Sequence, residues 1–208
     1  MMKEMYNNYK KEITKKNNLI ILVLIVFLIG LIFGSIYITI LTNDQKTKIL
    51  SQVSNYFKNI SKINFNEKID VFKNSLYSNM LYTIFMWLLG ISVIGLPIIF
   101  VMVFFKSFIL GFSVSSIFAK YGFKGLFKVL IYILPSNLII TIFTIFLSSY
   151  SIYISIKIFK NVIKKGTINF KLFIGKYFFI LVIGILISIL CSLYDAFVEP
   201  FIYKIFIK

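Results

Sequence analysis

Long stretches without a charged side chain dominate the sequence: residues 17–43, 74–105, 107–119, 129–156 and the segment from Tyr177 to Tyr194. At 1.5 Å per residue, about 20 apolar residues carry a helix across the ~30 Å hydrocarbon layer of a bilayer. Most of these stretches reach that length, and a backbone in lipid must satisfy its own hydrogen bonds, which a helix does. Composition agrees, with 59% hydrophobic and 14% charged residues against roughly 45–50% and about 25% in soluble domains. The expected fold class is an all-α polytopic integral membrane protein. It has about five transmembrane helices, a short amphipathic extracytoplasmic helix, and one membrane domain over 1–208.

The first span is placed at 19–41. It is too long and too apolar for a signal-peptide core, and no small-x-small cleavage site follows it, so a retained anchor is expected. The stretch 74–119 divides in either of two ways. A cut at Lys106 leaves a stub too short to cross. A cut at Gly95-Leu96-Pro97 gives two balanced helices, 76–94 and 97–120, with Gly95 ending one in the left-handed conformation and Pro97 in the first turn of the next. The second cut is preferred, and Gly122 then stands just past the third helix. The fourth span is placed at 129–156, with a kink or unwinding expected at Pro135-Ser136-Asn137. The fifth is placed at 177–198, ahead of Pro200.

Lysines in short loops set orientation. The formal charge is +16, from 23 basic and 7 acidic residues, and every basic residue is Lys. Lys3, Lys10, Lys11, Lys15 and Lys16 crowd the N-terminal arm, opposed by Glu4 and Glu12. Lys157, Lys160, Lys164, Lys165, Lys171 and Lys176 fill the acid-free loop 157–176. Five spans put both segments in the cytoplasm and the C-terminus outside; Lys120, Lys124 and Lys128 oppose that arrangement. Such lysines suit anionic lipids. The lack of Arg speaks against nucleic acid. Tyr150, Tyr153, Tyr177, Tyr194 and Tyr203 fall near boundaries as interfacial anchors.

The outer loop, 42–75, has mixed charge, and Leu50, Val53, Phe57 and Ile60 recur in it at helical spacing. That pattern reads as an amphipathic helix lying on the bilayer or capping the spans; a sharper reading, which can coexist with it, is a docking surface for an extracytoplasmic partner. Gly30 and Gly34 in the first span, and Gly184 and Ser188 in the fifth, are candidate helix-packing positions. Small residues four apart admit close backbone approach, within the chain or in a homo-oligomer. Lys106 falls near mid-bilayer with no acidic residue deep in any span. It is either functional or a lysine that snorkels. Pro135 and Asn137 offer freed carbonyls and an amide at membrane depth, as transporter sites do.

The catalytic inventory is nearly empty. With no His and one Cys, Ser-His and Cys-His nucleophiles, Cys-based metal clusters and disulfides are excluded. No phosphate loop and no paired intramembrane carboxylates occur, so no enzyme, metal or cofactor is expected.

The run Met86-Trp87-Leu88-Leu89-Gly90-Ile91-Ser92-Val93-Ile94-Gly95-Leu96-Pro97 resembles the stage II sporulation protein M family of endospore-forming bacteria. So do Lys106-Ser107-Phe108-Ile109-Leu110-Gly111-Phe112, Gly122-Phe123-Lys124-Gly125 and Leu134-Pro135-Ser136-Asn137-Leu138. The resemblance covers essentially the whole chain. It implies a multispanning protein without catalytic activity of its own, acting in engulfment at the sporulation septum. Its implied partners are two peptidoglycan hydrolases, stage II sporulation proteins P and D. The broader superfamily carries Pro-His-Gly-x-x-Glu where this chain has Pro135, Ser136, Asn137 and then Ile140, so ion chemistry suggested for those relatives is not implied. The alternative reading is a small channel or transporter using Lys106 and the Pro135 break.

Overall fold

The computed structural model describes the backbone of residues 2–60, 63–129, 134–164 and 170–206. All the regular structure described is helical: α1 Met2–Ile40, α2 Asn43–Ile60, α3 Phe65–Ile91, α4 Gly95–Tyr121, α5 Phe123–Lys128, α6 Leu134–Lys164, α7 Phe170–Leu193 and α8 Glu199–Phe206. A π-helical turn, Tyr194–Val198, joins α7 to α8. The chain is an all-α polytopic membrane protein. Four helical stretches are long and apolar enough to cross a bilayer: Lys16–Ile40, Gly95–Tyr121, Pro135–Asn161 and Gly175–Tyr203. α3 has the length, but Asn74, Ser75, Ser78 and Asn79 make it more polar than these four.

Several expected boundaries move. The basic arm is part of α1, although the side chains of Lys3, Lys10, Lys11 and Lys15 lie outside the described residues. Within segment 42–75 the expected amphipathic helix forms as α2, and α3 takes up the stretch from Phe65. Thr42 and Gln45 cap α2 reciprocally, Thr42 N–H donating to Gln45 Oε1 at 3.3 Å and Gln45 N–H to Thr42 Oγ1 at 3.5 Å. Asn64 N–H donates to Glu67 Oε2 at 3.0 Å, which starts α3 well before position 76. α6 runs to Lys164 and α7 begins at Phe170, so helix replaces both flanks of the basic loop; residues 165–169 lie outside the described ones.

The cut between the second and third spans falls at Ser92–Ile94, and α4 runs unbroken through Lys106. Pro97 sits in its first turn, where a missing N–H costs nothing. Gly95 does not take the left-handed conformation; among the described residues the positive-φ glycine is Gly122, at φ 58°. Gly95 is instead pressed against the Leu89 backbone, where a Cβ would overlap a carbonyl. α6 begins at Leu134, which puts the Pro135 ring in its first turn; residues 130–133, where an unwinding would fall, lie outside the described ones. Pro200 does not stop the last helix. The π turn just upstream gives its ring room.

α1 packs along α4, while α3 lies against both α6 and α7, and α6 also touches α1 and α4. Val23, Met86, Ile99, Val103, Phe143, Leu147 and Ile152 form the central core. The buried face of α6 carries Thr144, Ser148, Ser151 and Ser155, small enough for close approach. Their hydroxyls find partners, as in Thr144 to the Ile140 carbonyl at 2.7 Å and Ser155 to the Ser92 carbonyl at 2.8 Å. The outer face of α1 (Ile25, Leu28, Ile32, Phe33) is exposed, as a lipid-facing helix requires.

α3 runs the length of the bundle. Near one end Ser75 Oγ donates to Asp195 Oδ2 at 2.7 Å; near the other Trp87 Nε1 donates to the Tyr177 carbonyl at 3.0 Å. At that second end Lys16 of α1 lies 4.9 Å above the Tyr153 ring, and Lys157 of α6 lies 5.5 Å from it. The basic ends of α1 and α6 therefore meet at the same end of the bundle.

Candidate functional site

Gly30 and Gly34 are consumed inside the chain. A Cβ at Gly30 would strike the Phe104 carbonyl and Ser107 Oγ, and one at Gly34 the Phe108 carbonyl. Gly111 returns the approach against the Leu31 carbonyl, and Ser35 Oγ donates to the Gly111 carbonyl at 3.4 Å. This α1–α4 seam leaves neither Gly30 nor Gly34 for a homo-oligomer. Gly184 serves a different junction, where Phe143 of α6 and Thr83 of α3 close over it. Ser188 is buried one turn on and donates to the Gly184 carbonyl at 2.8 Å.

The expected partner surface on α2 is largely turned inward. Phe57 is 2% exposed and Ile60 3%; Leu50 and Val53 are half-buried. Phe57 stacks on Tyr203 at 5.9 Å and meets the edge of Tyr121 at 5.7 Å. Lys128 Nζ stands 3.9 Å above the Tyr121 ring, and its burial lowers its pKa. Tyr56 adds a polar tie, its hydroxyl donating to Glu199 Oε1 at 2.7 Å. Burial first, and then the Glu199 carboxylate, raise the Tyr56 pKa. An apolar stripe on α2 meets α4 and α8 because those helices present the aromatic faces that it covers. α2 is thus a cap fixed to the bundle, and its outward face is polar, with Gln52, Asn55 and Asn59 exposed.

The interfacial-anchor reading fails for three tyrosines. Tyr153, Tyr177 and Tyr203 are buried. Tyr177 is 1% exposed, stacks on Trp87 at 5.1 Å, and donates to the Trp87 carbonyl at 2.7 Å. Ser151 Oγ lies 2.8 Å from the same hydroxyl.

Lys106 is half-buried near the middle of α4. Its Nζ stands 4.3 Å above the Tyr82 ring of α3, and Tyr82 is held by its hydroxyl on the Met102 carbonyl at 3.1 Å. A ring face under an ammonium is a favourable electrostatic contact. Lys106 lines a groove of about 730 Å³ between α3 and α4, which Asn137 of α6 also reaches. Beyond Asn137 the groove adjoins smaller polar cavities of about 180 and 330 Å³, both lined by Ser75, Ser136, Asn137 and Asp195. Asn137 therefore sits where the apolar groove becomes polar, and Pro135 only starts the helix that places it. The sequence contained this seam as Ser75 and Asn79, four apart on α3, and Asp195 and Glu199, four apart across the π turn, but nothing in it said that α3 would face the end of α7.

Among the described residues no group of three His, Cys, Asp or Glu side chains could hold a metal ion. The single cysteine, Cys191, is buried and donates to the Ser136 carbonyl at 3.6 Å.

No curated protein and no solved structure matches the chain significantly. The sequence model described as stage II sporulation protein M matches residues 23–202, from within α1 to α8. With the matched stretch covering most of the sequence, the chain belongs to the stage II sporulation protein M family.

Proposed function

We propose that this protein is a membrane scaffold of the engulfment complex in endospore formation. It holds peptidoglycan hydrolases, the stage II sporulation proteins P and D, at the septum and the engulfing membrane. Membership of a sporulation family supports a role in that process. The observation that supports the scaffold reading is the α2 cap, whose apolar side is fixed through Phe57 while Gln52, Asn55 and Asn59 on its polar side are exposed. A scaffold needs a rigid surface of that kind, because presenting a preformed face costs less ordering entropy on binding. In this reading α3 crosses with the other four helices, the N-terminus is cytoplasmic, and α2 faces the cell wall. The lysines of the α1 and α6 ends then meet anionic headgroups on the inner leaflet.

The deciding experiment is deletion of the gene in a sporulating host. Membrane migration should stop and fluorescently tagged hydrolases should disperse from the septum. Normal engulfment with hydrolases in place would end the proposal.

A further inference from the structure

We infer that the groove between α3 and α4 is the docking site for a membrane-spanning helix of a partner protein, one that carries an Asp or Glu near mid-bilayer. The inference rests on the scaffold reading and adds the surface and the chemistry of contact to it.

The groove opens sideways. Phe85 of α3 and Val101, Phe105 and Ile109 of α4 form its walls, and all four are more than half exposed. In a bilayer such walls face lipid tails or another helix. Among the described residues that line the groove, Lys106 alone is charged. It sits roughly 16 Å along α4 from Gly95 at 1.5 Å per residue, too deep for its amine to reach either headgroup layer easily. Among the described residues no carboxylate pairs with it; Asp195 is engaged by Ser75 and Glu199 by Tyr56. The Tyr82 ring offsets only part of the cost of an ammonium at that depth.

A helix laid in the groove with a carboxylic side chain level with Lys106 supplies the missing countercharge. Ser78, Asn79 and Ser113 line the same groove and add hydrogen-bonding capacity to one helix edge. Apolar walls of this size suit a helix better than a headgroup, and a cation at that depth selects an acidic partner over the many neutral spans in the membrane.

The test uses the full-length protein, donor-labelled in phosphatidylcholine vesicles. The probes are acceptor-labelled Leu/Ala spanning peptides of about 24 residues with Asp, Lys or Leu at the centre. The Asp peptide should reach half-maximal energy transfer at about ten-fold lower mole fraction than the Leu peptide, as one interhelical polar contact in lipid allows. Lys106→Met should remove that preference, and Lys106→Glu should transfer it to the Lys peptide. The charge swap keeps the inference refutable even where Lys106→Met folds poorly. Equal transfer to the Asp and Leu peptides, or a preference that survives Lys106→Met, overturns it. Displacement of the Asp peptide by added phosphatidylglycerol overturns it in favour of a lipid headgroup, and displacement by unlabelled protein in favour of a second copy. None of these results depends on sporulation, whereas the scaffold reading stands or falls on engulfment in the deletion strain.

Discussion

Replacing Gly34 by Ala tests the seam on which the α1–α4 pair depends. The new methyl would lie on the Phe108 carbonyl, well inside van der Waals contact, and the obstacle is backbone rather than a side chain that can swing away. The two helices must part by about 1 Å, which forfeits a quarter to a half of the dispersion energy of each contact along the seam. Overpacking of a tight core costs about 1–3 kcal/mol, with larger values where backbone blocks relaxation, and Gly34→Ala should fall near the top of that range, at about 3 kcal/mol. Gly111→Ala strikes the Leu31 carbonyl from the opposite helix. Once the first substitution has parted the helices, the second should cost less than it does alone. Gly175→Ala is the control, because nothing lies within 4 Å of a Cβ there. Its effect should stay within about 0.5 kcal/mol. Reversible unfolding in mixed micelles, followed by circular dichroism as sodium dodecyl sulfate is raised, gives all four values. If Gly34→Ala and Gly175→Ala unfold at the same detergent fraction, the close-approach reasoning is wrong.

Three further outcomes are expected. Tyr177→Phe removes the hydroxyl shared by the Trp87 carbonyl and Ser151, and should cost about 1–2 kcal/mol in the same assay; a Tyr177→Phe/Ser151→Ala cycle with no coupling would show that this hydrogen bond adds nothing. Phe57→Asp buries a carboxylate between Tyr203 and Tyr121, so α2 should detach by about 3 kcal/mol or more and become cleavable by added protease while the protein still inserts. A cap that stays protected in that variant would refute the docking seen for Phe57. In a Cys191→Ser background, Lys124→Cys should react with a membrane-impermeant maleimide from the outside and Lys160→Cys only after the cells are opened; the reverse pattern would invert the proposed topology.

The all-α class was legible because an apolar run in lipid has one outcome, and the position of Pro97 marked the turn between α3 and α4. What stayed hidden was long-range. Phe57 and Ile60 announced an amphipathic helix, but whether the stripe would meet lipid, a partner or the chain itself depended on Tyr121 and Tyr203 arriving beneath it. Tyr177 looked like an interface residue because it follows Lys176. Its burial depends on Trp87 and Ser151, each far away in sequence. The groove at Lys106 was half visible, since the lysine stood out against its surroundings while the Tyr82 ring and Asn137 reach it only through helix packing.

The π turn at Tyr194–Val198 acts as a phase shifter. An extra residue in a turn rotates everything beyond it by about 100° relative to an unbroken helix. That rotation brings Glu199 round to Tyr56 and Tyr203 to Phe57. Loss of one residue from the turn would leave the composition of the helix almost untouched and swing both contacts toward lipid. The cap is therefore more sensitive to residue number here than to most changes of residue type.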